Sequence, residues 1–344
     1  MKHYYKIGLL ITIAMAIQSC GNNTQNNSSD SSVESRAFGT SAAMQGINLG
    51  NALDSPTPGE WGLTIQPQYF ESIKDAGFNA VRIPVRFSAH ADNDFPYLID
   101  PDFMLLVDSV VRQGLSNGLI VILDMHHYDE IMLDPASQRD RYLAMWKQLA
   151  EYFEGFSSNL YFEILNEPNG QMDAATWNAL SADCIQTIRE SNPKRRLLAG
   201  GVDYNSIDAL EQLVLPADKN LTAVVHFYLP FEFTHQGASW VEGSTQWIGT
   251  TWDENPAEQQ AITTQLDRAA AWSMQNQIPL VMTEFGSISS ADAASRQRWT
   301  AFLARETEKR NIGWFYWEFC SEFGVYACEQ GQWDPDMLEA LINP

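Results

Sequence analysis

Short apolar runs and longer amphipathic stretches alternate along this chain, and their order limits the folds open to it. Eight runs rich in β-branched and aromatic residues are predicted strands, at 44–49, 79–84, 119–125, 160–165, 196–200, 221–227, 279–283 and 313–318. Predicted helices lie between them, for example at 101–116, 137–153, 174–190, 258–275 and 293–309. This alternation predicts an α/β protein with a (β/α)8 TIM barrel as its single domain.

An open, doubly wound sheet is the alternative arrangement for the same elements. Such a fold carries a glycine-rich phosphate-binding loop after its first strand. The segment found there, Gly46-Ile47-Asn48-Leu49-Gly50-Asn51, does not match that fingerprint. The sequence therefore favours the closed barrel.

The N-terminus resembles a bacterial export signal. Lys2 and Lys6 precede an apolar run at 7–17 that is too short to span a bilayer, and Ile17-Gln18-Ser19-Cys20-Gly21 looks like a lipobox. Residues 1–20 are therefore predicted to be a lipoprotein signal peptide, with Cys20 lipidated. The alternative is ordinary cleavage near Cys20 and release of a soluble product.

The segment after Cys20 is polar and predicts a flexible tether over 21–37, followed by one barrel domain over 38–344. We expect an exported lipoprotein held by its lipid anchor in the periplasm or at the outer-membrane surface. A monomer is the default expectation, because the sequence has no signature of oligomerisation.

The net charge limits which binding partners are expected, and the cysteine spacing limits which disulfides can form. The formal net charge of −22 repels nucleic-acid phosphates, so no nucleic-acid partner is expected, whereas a neutral polymer is compatible. Cys184 is predicted to be a small buried apolar residue. Cys320 and Cys328 bracket a short loop, and in an oxidising compartment their spacing permits a disulfide without requiring one.

Polar side chains collect at the carboxyl ends of the predicted strands. In a barrel of this class the chemistry lies at that face, so these residues are the candidate site. They are Asn48, Asn51, Arg82, His126, His127, Asn166, Glu167, His226, Tyr228, Glu284, Trp317 and Glu318.

Glu167 and Glu284 follow strands four and seven and would face one another across the barrel mouth. Cleavage of a glycosidic bond needs one protonated carboxyl and one carboxylate, about 5–5.5 Å apart in retaining enzymes and about 6.5–9.5 Å apart in inverting ones. Arg82 and Tyr228 would favour ionised Glu284, whereas desolvation and the neighbouring charge would raise the pKa of Glu167. A structural ion pair is the alternative interpretation of these glutamates.

Seven segments, taken in order and spacing, resemble glycoside hydrolase family 5, the cellulase family, over about residues 43–344. The segments lie at 46–51, 81–84, 124–128, 166–168, 226–228, 283–286 and 314–319. The resemblance implies a retaining endo-β-1,4-glucanase acting on cellulose-type or mixed-linkage β-glucan. It implies Glu167 as acid/base and Glu284 as nucleophile, and it requires no cofactor.

The resemblance also implies roles for the surrounding residues. These are Arg82 supporting the nucleophile, His126 and His127 contacting sugar hydroxyls, Asn166 binding the 2-hydroxyl, His226 and Tyr228 orienting the carboxylates, and Trp317 lying under the sugar at the cleavage point. Asn51 and Asp54 fall where family members contact sugar hydroxyls. The segment 230–240, which ends at Trp240, resembles members that act on β-glucans, some of which also cut mannans.

Several alternatives stay open at this point. A β-mannanase or a dual glucanase and mannanase would use the same catalytic set. A glycan-binding lipoprotein without activity is disfavoured, because Glu167, Glu284, Arg82 and Tyr228 are all present. Trp61, Trp240, Trp247, Trp252 and Trp333 are each either a sugar platform or loop packing.

A metal site is not expected. His126 and His127 are adjacent, but their side chains are predicted to diverge at the end of a strand, and the chain has no His-Glu-x-x-His run. Of the other carboxylates near the predicted mouth, Glu163 is not ranked as catalytic, and Glu318 is left between a sugar contact and an ion pair.

Overall fold

The computed structural model describes residues 44–342. The predicted signal peptide at 1–20 with its lipidation site Cys20, the tether at 21–37 and the predicted domain start at 38 lie outside the described residues. None of the helices between residues 44 and 342 combines the length and the apolar character that crossing a membrane requires.

Eight parallel strands close into a barrel, in which each strand pairs with its neighbour along the chain and the last pairs with the first. Ile47, for example, lies opposite Val81 on one side and Tyr316 on the other. The predicted TIM barrel is therefore confirmed. The strands are β1 Gln45–Asn48, β2 Ala80–Val85, β3 Ile120–Met125, β4 Leu160–Glu163, β5 Leu197–Gly200, β6 Leu221–Phe227, β7 Leu280–Phe285 and β8 Gly313–Tyr316.

Helices follow the strands and cover the barrel. They are α1 Pro67–Asp75, α2 Pro101–Ser116, α3 Asp129–Leu133, α4 Pro135–Tyr152, α5 Ala174–Arg189, α6 Phe231–Thr234, α7 Pro256–Asn276, α8 Ala293–Lys309 and α9 Pro335–Ile342, with 3₁₀ helices at Phe87–His90, Ile207–Gln212 and Ser244–Trp247. The start of α7 shows why a helix begins where it does: Asn255 and Glu258 form a capping box, and Pro256 fills the first turn, where no backbone N–H is needed.

The core has two parts, one inside the barrel and one between the strands and the helices. The inner cluster takes one buried side chain from each strand or its start: Met44, Ala80, Ile122, Tyr161, Leu198, Val224, Val281 and Phe315. Gly46 leaves room for the Phe315 ring, which a Cβ at this position would meet. This packed layer forms the floor beneath the barrel mouth.

A disulfide near the C-terminus ties the turn of a short hairpin to the segment that follows β8. Cys320 and Cys328 are joined, and between and after them β9 Tyr326–Ala327 pairs antiparallel with β10 Gln332–Trp333. Trp333 stacks on Phe78 with ring centroids 5.4 Å apart, so its role is packing. Cys184 is buried and unpaired, as predicted.

Candidate active site

The two-residue repeat of a strand explains how the site is built above the packed floor. Successive side chains in a strand point to opposite faces, so the residue two positions after a floor residue points into the barrel mouth. Five strands place a polar or aromatic group there in this way: Arg82 follows Ala80, Asp124 follows Ile122, Glu163 follows Tyr161, His226 follows Val224, and Trp317 follows Phe315.

Strand β7 departs from this two-residue repeat just before Glu284. His226 pairs with Glu284 after Val225 pairs with Met282, so the register shifts past Thr283. Such irregularities re-aim side chains next to active sites. Here the shift brings Thr283 and Glu284 both into contact with groups at the mouth.

Arg82 is the centre of the polar network. Its side chain is completely buried, and its guanidinium forms ion pairs with three carboxylates. The contacts are Nε to Glu163 at 2.8 Å, Nη1 to Glu284 at 2.6 Å, Nη2 to Asp124 at 2.9 Å, Nη1 to Asn48 at 3.0 Å and Nη2 to Asn166 at 2.8 Å. One positive charge therefore faces three acids in a desolvated site, and burial raises the pKa of Asp124 to about 7 against the pull of Arg82.

Glu284 accepts two hydrogen bonds that favour its ionised form. Arg82 donates to one oxygen at 2.6 Å, and the Tyr228 hydroxyl donates to the other at 2.8 Å. These are the partners expected from the sequence. Burial nevertheless outweighs them and raises the pKa of Glu284 above its ordinary value, while His226, Arg82 and Tyr228 oppose that rise.

Glu167 has a different environment. It has no arginine contact among the described residues, and burial raises its pKa to about 7. Its side chain is still 28% exposed, which leaves a route for proton exchange with solvent. The backbone of Glu167 is left-handed, with φ of 47°, a conformation that is uncommon for non-glycine residues and is over-represented at active sites.

A chain of polar contacts runs from Glu167 through His226 to Thr283 and Glu163. His226 Nε2 lies 3.0 Å from the Thr283 hydroxyl and 3.4 Å from the Asn205 amide nitrogen, and the Thr283 hydroxyl also lies 3.4 Å from Glu163. Burial lowers the pKa of His226, so the ring carries one proton. On the other side of the ring, His226 Nδ1 lies 2.8 Å from Glu167 and 3.6 Å from Glu284, so the imidazole lies between the two carboxyl groups.

Opposite this chain, the indole of Trp317 stacks on the imidazole of His126. The two rings are nearly parallel, at 6°, with centroids 5.6 Å apart. Asp124 lies 2.5 Å from His126 Nδ1 and fixes the orientation of the ring. Burial holds the pKa of His126 well below its usual range, so this ring is neutral.

The prediction that His126 and His127 diverge is wrong. His127 has φ of 47°, which ends the strand alternation, and the two ring centroids lie 4.4 Å apart. Ligand-type atoms of His126, His127 and Asp54 all lie within 4.8 Å of one another. The 3.9 Å between His127 Nε2 and Asp54 Oδ2 is wider than the roughly 3.4 Å between two ligands of a tetrahedral zinc ion.

Asp54 and Asn51 belong to one turn after β1. Asp54 is only 1% exposed, and its carboxylate accepts from the backbone N–H groups of Asn51 at 3.0 Å and Ala52 at 2.7 Å. Burial raises the pKa of Asp54 to about 6. In this structure Asp54 therefore shapes the loop that presents Asn51, rather than lying open at the surface.

The tryptophans on the loops divide into two groups. Trp252 is fully buried and so packs the fold, and Trp247 is half-buried with its ring edge against Phe231. Trp61 is 42% exposed beside His127, with ring centroids 5.6 Å apart. Trp240 is 58% exposed and lines a cavity of about 650 Å³ that also touches Glu167 and His226.

The mouth thus gathers the predicted residues and adds others. Glu163, which the sequence did not rank, binds Arg82 through both oxygens. The two-residue repeat after Tyr161 is the signal that would have identified it. Glu318 is fully buried, and burial raises its pKa to about 8. Thr283 is found only through the register shift in β7, for which the sequence carries no signal.

Comparisons with known proteins agree with this geometry. A family model described as cellulase, glycosyl hydrolase family 5, matches residues 35–323. Endoglucanase H of Acetivibrio thermocellus is 33% identical over 305 residues, which cover 87% of this chain and 33% of that protein. Endoglucanase 3 of Fibrobacter succinogenes is 26% identical and covers 82% of this chain and 50% of that protein. The chain thus spans a third to a half of the length of these curated relatives.

Among solved structures, endoglucanase Cel5A from the hyperthermophile Thermotoga maritima superimposes with a TM-score of 0.87 at 44% identity, covering 89% of this chain and 99% of that chain. A structure of the same protein in complex with mannotriose gives a TM-score of 0.87 at 42% identity, covering 89% and 100%. The site, the barrel and the family match lead to one conclusion: the chain belongs to glycosyl hydrolase family 5, a family of glycoside hydrolases.

Proposed function

We propose that this chain is a retaining endo-β-1,4-glucanase that hydrolyses internal bonds of cellulose-type or mixed-linkage β-glucans. The observation that carries the mechanism is a distance. One oxygen of Glu167 lies within 4.8 Å of one oxygen of Glu284, and this close approach supports the short carboxyl separation of retaining enzymes over the roughly 6.5–9.5 Å of inverting ones.

In the first step Glu284 attacks the anomeric carbon and Glu167 gives its proton to the leaving oxygen. The glycosidic C–O bond breaks, and an ester bond forms between the sugar and Glu284. Arg82 and Tyr228 each hold one oxygen of Glu284, so the attacking carboxylate has a defined orientation. Burial raises the pKa of Glu167 to about 7, which keeps the acid protonated until it meets the substrate oxygen.

In the second step Glu167, now ionised, takes a proton from water. The water oxygen attacks the anomeric carbon, and the ester bond to Glu284 breaks. Ester formation removes the negative charge on Glu284, which lowers the pKa of Glu167 and suits it to act as a base. Arg82 keeps its contacts to Glu163 and Asp124 throughout, so the cation is never left unpaired.

Support for a glucan as the substrate comes from the relatives. Curated relatives are named endoglucanases, and structures of Thermotoga maritima Cel5A are described with cellobiose and with mannotriose. A mannanase, or an enzyme that cuts both glucan and mannan, is therefore the second candidate, because the two polymers differ in the orientation of one hydroxyl.

Replacing Glu284 by Gln tests the reaction and the substrate together. We expect Glu284→Gln to lower the release of reducing ends from carboxymethyl-cellulose and barley β-glucan by roughly 10⁴-fold or more, because the nucleophile is lost. Glu71→Gln, on the exposed face of α1, is the matched control and should leave activity unchanged.

Other outcomes of this experiment overturn parts of the proposal. Cleavage by the unaltered protein confined to glucomannan and galactomannan would replace the substrate and keep the mechanism. Full activity of Glu284→Gln would remove the assigned nucleophile. Binding of cello-oligosaccharides without cleavage of any polymer would leave a glycan-binding protein.

The pH profile tests the role of Glu167. Its pKa is raised to about 7, and the acid form is the active one, so kcat/KM on β-glucan should fall about tenfold per pH unit above that value. It should also fall at low pH as Glu284 becomes protonated. Cleavage of a dinitrophenyl β-cellobioside needs little acid assistance. With this substrate kcat/KM should still fall at low pH but should not fall at high pH. The same alkaline limb on both substrates would contradict the assignment.

We also propose that the protein is exported and anchored through a lipid on Cys20, as residues 1–21 suggest. In a bacterial host that processes lipoproteins, Cys20→Ala should abolish incorporation of labelled fatty acid and release the protein from the membrane fraction. Cys184→Ala, at a buried cysteine, is the control. Labelling that persists in Cys20→Ala would refute the anchor.

A further inference from the structure

A small apolar cluster lies beside the barrel mouth, separate from the two parts of the main core. Its buried members are Ala238, Ile288 and Phe323, and Tyr228 and Trp317 are partly buried and pack against them. Tyr228 donates to the nucleophile and Trp317 is part of the site, so the cluster lies next to the reacting groups. Phe323 is only 2% exposed and does not line the cavity at the mouth. Any effect of Phe323 on the reaction therefore has to pass through its neighbours.

The Phe323 ring contacts both the segment that carries the nucleophile and the tyrosine that binds it. It meets the Tyr228 ring edge to face, with centroids 6.2 Å apart and an interplanar angle of 78°, an arrangement that aromatic pairs favour. It also packs against Gly286, two residues after Glu284, where an added Cβ would lie 3.2 Å from the ring. One side chain thus bridges the two groups whose hydrogen bond orients the nucleophile.

The position of the Tyr228 hydroxyl depends on how its ring is packed. The hydroxyl donates to Oε2 of Glu284 at 2.8 Å, and hydrogen bonds weaken steeply as the distance grows or the angle bends. Phe323 and His235 pack edge-on against the Tyr228 ring and lie 5.3 Å from one another. His235 lines the cavity, so a change there would also alter contacts with a substrate. Phe323 is therefore the neighbour at which positioning can be tested by itself.

The backbone that carries Phe323 is itself held in place. The Phe323 carbonyl accepts hydrogen bonds from the Tyr316 hydroxyl and from Arg296 Nη2, both at 3.2 Å. Arg296 lies on α8 and is 6% exposed, so a buried guanidinium is used to hold this backbone. The disulfide between Cys320 and Cys328 encloses the segment and restricts the conformations open to it. The Phe323 ring is therefore presented from a loop of defined shape.

We propose that Phe323 is a positioning residue, which holds the Tyr228 ring so that its hydroxyl donates to Oε2 of Glu284. This inference rests on the proposed reaction, in which Glu284 attacks the anomeric carbon. Without the Phe323 ring, Tyr228 gains room to move and its hydrogen bond to the nucleophile lengthens. Glu284 then keeps only Arg82 of the two donors that orient its carboxylate. The loss falls on the attack by Glu284.

A double-mutant cycle separates this role from general packing, because a residue that acts through the Tyr228 hydroxyl has no such effect once that hydroxyl is gone. Phe323→Leu removes the ring, and Phe323→Met, which keeps more of the volume, is the second variant if the first does not fold. Each is made in the unaltered protein and in Tyr228→Phe. Phe319→Leu is the matched control, because Phe319 is fully buried in the same segment but packs against Tyr326 and Trp333.

We expect Phe323→Leu to lower kcat/KM on dinitrophenyl β-cellobioside, which reports formation of the glycosyl-enzyme, about tenfold, because the nucleophile is less well oriented. In Tyr228→Phe the same substitution should change kcat/KM less than about twofold. Phe319→Leu should have the same effect in both backgrounds. Equal losses from Phe323→Leu in the two backgrounds, or no loss in either, would overturn the positioning role.

The pH profile gives a second readout, which a purely structural role would not move. Burial raises the pKa of Glu284, and the neighbouring Glu167 adds to the rise. The groups that lower it are His226, Arg82 and, through its hydrogen bond, Tyr228. Loss of that hydrogen bond raises the pKa, and Glu284 must be ionised to attack, so the low-pH fall of kcat/KM should move to higher pH in Phe323→Leu. A shift in Tyr228→Phe without one in Phe323→Leu would contradict the proposal.

Failure of the proposed function is seen separately. If the unaltered protein cleaves neither the dinitrophenyl substrate nor any β-linked polysaccharide, the glucanase proposal is refuted, and crystal structures of the unaltered protein and of Phe323→Leu then test the positioning role. A distance from Tyr228 Oη to Glu284 Oε2 that grows from 2.8 Å to beyond about 3.5 Å would retain it. An unchanged distance would overturn it.

Discussion

The buried guanidinium of Arg82 is the interaction on which the mouth of the barrel depends. From β2 it reaches Asn48 on β1, Asp124 on β3, Glu163 on β4 and Glu284 on β7. Removing one partner of a buried ion pair costs about 3–5 kcal/mol, because the other charge is left without compensation. Loss of Arg82 would leave three buried acids facing one another. Both the stability of the barrel mouth and the orientation of Glu284 therefore depend on this residue.

The neighbours of Glu284 and Glu167 suit these two glutamates to different roles. Glu284 accepts hydrogen bonds on both oxygens and is suited to carry a charge, whereas Glu167 has no arginine or tyrosine donor among the described residues, and burial raises its pKa to about 7. Two identical side chains thereby differ through their neighbours, as acid and base pairs in enzymes generally do. His226 connects the two glutamates, because its Nδ1 lies 2.8 Å from Glu167 and 3.6 Å from Glu284.

Much of this could be read from the sequence, because period-two strands and amphipathic helices carry strong signals. The strands and the five helices named in advance lie within a few residues of their observed bounds, and the largest errors in the helix starts fall at Pro135 and Pro256. Both prolines occupy first turns, where a missing N–H is harmless, although proline in sequence usually marks the end of a helix.

Three features that the sequence did not predict share a physical cause, which is backbone that leaves the regular pattern. The left-handed φ of His127 directs its side chain toward that of His126, whereas the two side chains were expected to point apart. Asp203, Tyr204 and Asn205 also have left-handed φ angles, and neither this run nor the register shift before Glu284 has a local sequence signature. Each is set by tertiary contacts, and each lies at the mouth, where local preferences are overridden by what the site requires.

The measurement that tests the account most directly is the configuration of the first product. Proton NMR of a β-glucan or cello-oligosaccharide digest in its first minutes, before mutarotation, distinguishes the two anomers. Because oxygens of Glu167 and Glu284 lie within 4.8 Å, the account predicts that the β-anomer forms first. Initial formation of the α-anomer would show that water attacks the sugar directly, and would contradict Glu284 as a nucleophile.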